Sequence, residues 1–160
     1  MPVDPETLRT VMRHWTTGVT IVAARDGAQA HGMTVNAFTS VSLEPPLVLV
    51  CIERAVRTHA LIERSRAFAI SILREGQQTI SDRFAGRETE NGNRFAGLKT
   101  FTAVTGAPIL ADNIGYLDCA VTAAHPAGTH TIFIAEVVAA KGQPSGKPLL
   151  YFDRDYHSLA

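Results

Sequence analysis

The chain has 160 residues, 46% of them apolar and 19% charged, and its formal net charge is zero. This composition is that of a globular domain with a sizeable core and not of a disordered segment, and it offers no overall field to a polyanion such as nucleic acid. No apolar run approaches the roughly 18–20 residues of a membrane span, and the start "MPVDPETLRTV" is not that of a secretory leader, so a soluble, cytoplasmic protein is expected.

In chain order, "DPETLRTVMRHW" reads as a short helix. Asp4 is placed to accept from the first free amides, Pro5 suits the first helical position, and Glu6 suits the positive end. Leu8, Val11, Met12 and Trp15 then recur at helical spacing and predict one apolar face, with Gly18 as the stop. From there the pattern is mostly strand. "VTIVAA" (19–24) runs to a turn at Asp26-Gly27, and "GMTVNAF" and "PLVLVCI" follow. Pro45-Pro46 forces a bend before Leu47.

"THALIERS" (58–65) predicts a second helix with Thr58 as its N-cap, "AFAISIL" a buried strand, and "GQQTISDRFAG" a further helical turn or two. A polar loop, "GRETENGN", comes next. The tetrapeptide "RFAG" occurs at 83–86 and again at 94–97, too few copies for a repeat architecture. "YLDCAVTAAH" and "THTIFIAEVVAA" predict a hairpin with Pro126-Ala127-Gly128 at its tip, and "LLYFD" a last strand. Strands dominate without strand–helix alternation, which points to a single all-β barrel over 1–160 with peripheral helices.

The chain lacks G-x-G-x-x-G, G-x-x-x-x-G-K-[ST], G-x-S-x-G and C-x-x-C. Cys51 and Cys119 lie in separate apolar runs and read as buried free thiols, with a single disulfide as the alternative. His125 and His130 flank the hairpin tip without the carboxylates a metal pair would need, so no metal is expected.

Three segments carry candidate chemistry. Thr34, Asn36 and Ser40 stand at even spacings, so an extended chain puts their hydroxyl and amide groups on one face, with Val35 and Ala37 on the other. Such a face suits the polar edge of a flat heterocycle, although on spacing alone a solvated barrel exterior is the commoner reading. "ERAVRTHALI" offers Arg54, Arg57, the Thr58 hydroxyl and the amides of a helix start, which is a phosphate seat or an ordinary surface cap. At the "PAGTHTIF" turn, His130 is a turn cap or a donor to a ligand.

Together the blocks "GMTVNAFTSVSLEPPLVLVCI", "RTHALIERSRAFAISIL", "PAGTHTIFIAEV" and "PLLYFDRDY" resemble, in order and over nearly the whole chain, the short-chain flavin reductases. These are the reductase partners of two-component flavin-dependent monooxygenases. The resemblance implies a split β-barrel, a homodimer, and a flavin (FMN or FAD) at the subunit boundary. It places flavin-ring contacts, largely through backbone groups, on Thr34, Val35, Asn36, Ala37 and Ser40. Phosphate contacts fall in 53–58, among Glu53, Arg54, Arg57 and Thr58. The family's Gly-Asp-His signature, associated with NADH or NADPH, maps onto Gly128, Thr129 and His130, with Thr129 where the family has Asp. His130 is thereby the catalytic candidate, as the group that positions the nicotinamide, and Tyr151 and Arg154 match the family's tail at the site rim. Implied partners are a second copy of the chain and a monooxygenase fed by diffusing reduced flavin, with no nucleic acid or membrane. Alternatives on the same barrel are a flavoprotein that keeps its flavin and reduces another substrate, such as a cobalt corrinoid, and a non-catalytic flavin or haem carrier.

Overall fold

A computed structural model describes residues 1–87 and 92–160 of the chain. Helix α1 (Pro5–Met12) opens at Asp4, whose carboxylate accepts from the amides of Glu6 and Thr7, both at 3.0 Å. It ends at Met12, short of Trp15, and Leu8, Val11, Met12 and Trp15 are all exposed. The expected apolar face exists only in part, and its side chains are exposed.

Strands β1 (Thr17–Gly18), β2 (Thr20–Asp26), β3 (Gln29–Val35), β4 (Phe38–Leu43) and β5 (Pro46–Glu53) follow. Gly18 therefore lies in a strand and does not end the helix. The bend expected at Pro45-Pro46 is the β4–β5 turn, with Leu43 paired to Pro46. Then come α2 (Arg57–Ser65), β6 (Ala67–Ile72), α3 (Gln78–Phe84), β7 (Thr100–Phe101) and β8 (Ile109–Leu110). Strands β9 (Gly115–Ala127) and β10 (His130–Gly142) form the long hairpin, and β11 (Leu150–Phe152) and β12 (Asp155–His157) close the chain. The hairpin turns at Gly128-Thr129, later than expected, because Pro126 pairs with Thr131. Beyond Ala120 no strand among the described residues pairs with the other side of β9, so the missing amide of Pro126 breaks no second ladder there. Of the polar loop 86–93, residues 88–91 lie outside the described part.

Seven strands form one antiparallel sheet in the order β3-β2-β6-β9-β10-β5-β4. Its two edges, β3 and β4, are consecutive in the chain and joined by residues 36–37 alone. Laid flat, seven strands would hold their edges about 29 Å apart, whereas the three Cα steps from Val35 to Phe38 span at most about 11 Å. The sheet must roll up, and the result is a split barrel whose edge strands meet at Asn36-Ala37 without a ladder between them.

Inside lie Val22, Val48, Val50, Ile52, Phe68, Ile70 and Phe133, and α2 plugs one end with Leu61 and Ile62. Strand β5 alternates: Val48, Val50 and Ile52 point inward, while Leu47, Leu49 and Cys51 are only half-buried on the outer face. A second cluster of Val19, Ile21, Leu73, Phe84, Leu110 and Leu149 seats α3.

Candidate functional site

The link 36–37 lies between the described strand ladders, its Ala37 carbonyl accepting from the Cys51 amide at 3.0 Å, and two cavities meet at Asn36. A first cavity, about 700 Å³, lies between the end of β3, the β5–α2 junction and the end of α3, with Thr34, Glu53, Arg57 and Arg94 on its walls. A second, about 190 Å³, shares Thr34 and Ala85 with the first and adds Asn36, Arg87, Tyr151 and Tyr156. A third, about 250 Å³, shares Asn36 and Tyr151 with the second and reaches the end of α1 and the turn at Arg154. The shared walls make these one groove along the seam of the barrel.

At the first cavity, α2 begins at Val56, a residue with no side chain to cap the first-turn amides. Thr58 is not the N-cap. It sits within the helix, fully buried, and its hydroxyl is 2.8 Å from Nδ1 of buried His31, itself a wall residue. The cationic side chain at that helix start is Arg57, while Arg54 turns to the hairpin tip, where its guanidinium donates to the Gly128 carbonyl and its amide to that of Thr129.

At the second cavity, the Thr34 hydroxyl donates to the Ser81 carbonyl at 2.6 Å. Tyr156 donates to Asp82 at 2.7 Å and also lies 2.8 Å from the Ser81 hydroxyl, and Arg87 holds Asp82 at 2.6 Å. Burial pushes the Tyr156 phenol above its ordinary value, and Arg87 is raised chiefly by its contact with the Tyr151 hydroxyl. One polar network thus fixes two aromatic rings and a guanidinium along the cavity wall.

The two "RFAG" copies clasp one another. Arg94 donates to the Phe84 carbonyl at 2.8 Å and Arg83 to the Ala96 carbonyl at 3.1 Å, and Phe84 and Phe95 meet edge-on at 5.1 Å.

Of the sequence candidates, Thr34, Asn36, Glu53, Arg57, Tyr151 and Arg154 line the groove. Val35 turns its side chain into the core, Ala37 lies exposed in the seam, and Ser40 is exposed on β4 opposite Val48. Because the strand breaks after Val35, the even spacing does not carry Ser40 onto the face of Thr34. His130 is exposed at the hairpin tip opposite Glu53, its Nδ1 2.9 Å from the Thr129 hydroxyl. Ser81 and Tyr156 were not foreseen at this site. The signal in hand was "RFAG" on either side of a polar loop.

The groove presents the groups that a planar ring with an anionic tail would use. Aromatic rings and the Asn36 amide flank its narrow part, and Arg57 and the uncapped start of α2 stand at its wide end.

Residues 12–160 match the family model "Flavin reductase like domain". The reductase component of 4-nitrophenol 4-monooxygenase/4-nitrocatechol 2-monooxygenase from Rhodococcus opacus is 40% identical over 151 residues, covering 94% of this chain and 79% of that protein. The reductase component of 4-hydroxyphenylacetate 3-monooxygenase from Thermus thermophilus is 37% identical, covering 96% of each. The solved NADH:FAD oxidoreductase SgcE6 of Streptomyces globisporus C-1027, in complex with NAD and FAD fragments, superposes with a TM-score of 0.90 at 34% identity, covering 100% of this chain and 97% of that one. The chain belongs to the flavin reductase like domain family.

Proposed function

We infer that this protein is an NAD(P)H:flavin oxidoreductase that supplies reduced FMN or FAD to a partner monooxygenase, and that all of 1–160 forms one such domain. The observation that carries the reading is the groove at the barrel seam, where a ring-shaped slot adjoins an uncapped helix start flanked by Arg57. The chemistry supplied by the bound cofactors is hydride transfer from C4 of the nicotinamide to N5 of the flavin, so the protein contributes geometry and electrostatics.

Asn36 and the backbone of 34–37 hold the polar edge of the ring. Val35 and Ala37 take part through backbone groups, and Ser40 approaches from β4. Arg57 and the first amides of α2 hold the phosphate, with Glu53 and Arg54 shaping the junction. Thr58 acts from below, through the orientation of His31. Tyr151 and Arg154 form the rim. His130 positions the nicotinamide, and the exposed hairpin tip suits contact with a neighbouring protomer of a homodimer. NADH is the favoured reductant, as it is in the name of SgcE6.

The decisive experiment is anaerobic oxidation of NADH and NADPH with FMN, FAD and riboflavin each supplied in turn. Oxidation without a third substrate is expected, and its absence with every flavin overturns the assignment. His130→Ala should raise the NADH Michaelis constant several-fold and the flavin constant less; the reverse ranking would remove His130 from its role.

A further inference from the structure

Two neighbouring residues of α2, Thr58 and His59, are buried polar groups that tie the helix to two different strands. Thr58 meets His31 of β3, and His59 places Nε2 2.8 Å from the Thr131 hydroxyl of β10. The His59 ring packs against Phe133 at 5.2 Å, and its Nδ1 lies 3.7 Å from the exposed Glu63 carboxylate. A carboxylate on that side favours the proton on Nδ1, so Nε2 accepts from the Thr131 hydroxyl. Phe133 and Ile52, the residue opposite Thr131 on β5, are fully buried, so the bond is made away from water. A polar pair in such surroundings fixes geometry, because parting it strands both groups.

Thr131 is where the hairpin leaves the body of the barrel. Residues 124–130 are all exposed, and Thr131 is the first buried residue after them. The ties on this tip come from one short segment. The Arg54 amide donates to the Thr129 carbonyl at 3.0 Å, its guanidinium donates to the Gly128 carbonyl, and Glu53 pairs with His130. Those contacts join exposed residues and compete with water, whereas the bond from His59 does not. Glu53 and Arg57 of the same segment line the first cavity. Segment 53–59 therefore carries the anion seat on one side and the root of the hairpin on the other.

We propose that His59 is a positioning residue for the reductant: through Thr131 it fixes the hairpin that carries His130 relative to the anion seat. The proposal rests on the reductase reading, in which His130 contacts the nicotinamide. His59 itself is buried and lines none of the three cavities, so it acts through the strand it holds.

Thr131→Val keeps the shape of the side chain and removes the hydroxyl. Thr131→Ser keeps the hydroxyl and gives up a methyl and some strand preference. NADH kinetics, flavin titration and thermal melting of both variants test the role. Thr131→Val should raise the NADH Michaelis constant about three- to tenfold, the worth of one neutral hydrogen bond. Its flavin dissociation constant should stay within about twofold, because the bond between Thr58 and His31 still holds the start of α2. Thr131→Ser should melt below the wild type and keep the wild-type NADH constant, an outcome that a merely structural role does not produce. On a His130→Ala background Thr131→Val should add nothing to the NADH constant, since the residue it positions is gone. His59→Gln, which keeps an acceptor for Thr131, should lie closer to wild type in that constant than His59→Leu, and this pair serves if Thr131→Val does not fold. The proposal falls if the NADH and flavin constants rise together, if Thr131→Ser behaves as Thr131→Val does, if the effect adds in full to that of His130→Ala, or if the His59 order is reversed. Each of those results, obtained with an active wild type, leaves the reductase reading standing. A wild type that oxidises neither NADH nor NADPH with any flavin removes the reading and this role of His59 with it.

Discussion

Asp118 is fully buried in the middle of β9, in a run that otherwise reads as core. Its carboxylate accepts from the amides of Val104 at 2.7 Å and Thr105 at 2.8 Å and from the Thr105 hydroxyl, so it holds down the segment before β8. Asp118→Ala removes three bonds to a charged acceptor whose donors lie on a half-exposed segment and can turn to water, so it should cost about 1–2 kcal/mol in urea unfolding. Asp118→Asn keeps an acceptor and should recover about half; equal losses would place the effect in the charge. Next to it, burial and then the Asp118 charge push the Cys119 thiol up to about 12, and burial raises Cys51 less. A raised thiol carries almost no reactive thiolate near neutrality. Iodoacetamide at pH 8 should therefore label Cys51 slowly and Cys119 only after denaturation, as read by peptide mass. Both cysteines are free, as their apolar surroundings led us to expect. Asp118 could not be foreseen, because its partners come from a loop that no periodicity places.

At the scale of elements, legibility followed the range of the forces involved. The N-cap of α1, the strand at "PLVLVCI" and the break at Pro45-Pro46 are local matters, written within a few residues, and they appeared where expected. Ser40 does not share the face of Thr34 for a long-range reason: the barrel must close at 36–37, so the face seen in "TVNAFTS" ends at Val35. The role of "RFAG" was hidden likewise, since each copy is completed by the other. That clasp depends on Gly32 of β3, whose carbonyl accepts from Arg94 at 3.1 Å. A Cβ there would come within 2.9 Å of Phe84 and 3.1 Å of Phe95. Both rings are packed, so Gly32→Ala should destabilise by about 1–3 kcal/mol, the usual cost of overfilling a core. Because Phe84 and Arg94 also line the first cavity, flavin affinity should fall with it. Unaltered melting with lower affinity would show that the clasp serves the groove alone.

For the molecule as a whole, the outer face of the barrel bears on assembly. Antiparallel partners share a face, so Leu49 and Ile134, and Cys51 and Ile132, stand side by side on the outside of β5 and β10. Leu47 continues the row towards Glu136, and Val41 and Leu43 are exposed on β4. An outer sheet face this apolar is what a subunit interface requires, and it joins the hairpin that carries His130. The homodimer we propose uses this face, which would bring each His130 towards its neighbour's groove. Ile134→Glu adds a charge at the centre of the face without touching the buried side of β10, where Phe133 and Ala135 pack. In sedimentation equilibrium the wild type should be a dimer and Ile134→Glu a monomer with native circular dichroism. Turnover should fall further than flavin binding, because the nicotinamide contact would be the one made across the interface. A variant that stays dimeric, or a monomer with undiminished turnover, would separate His130 from any function in trans and return the hairpin tip to solvent.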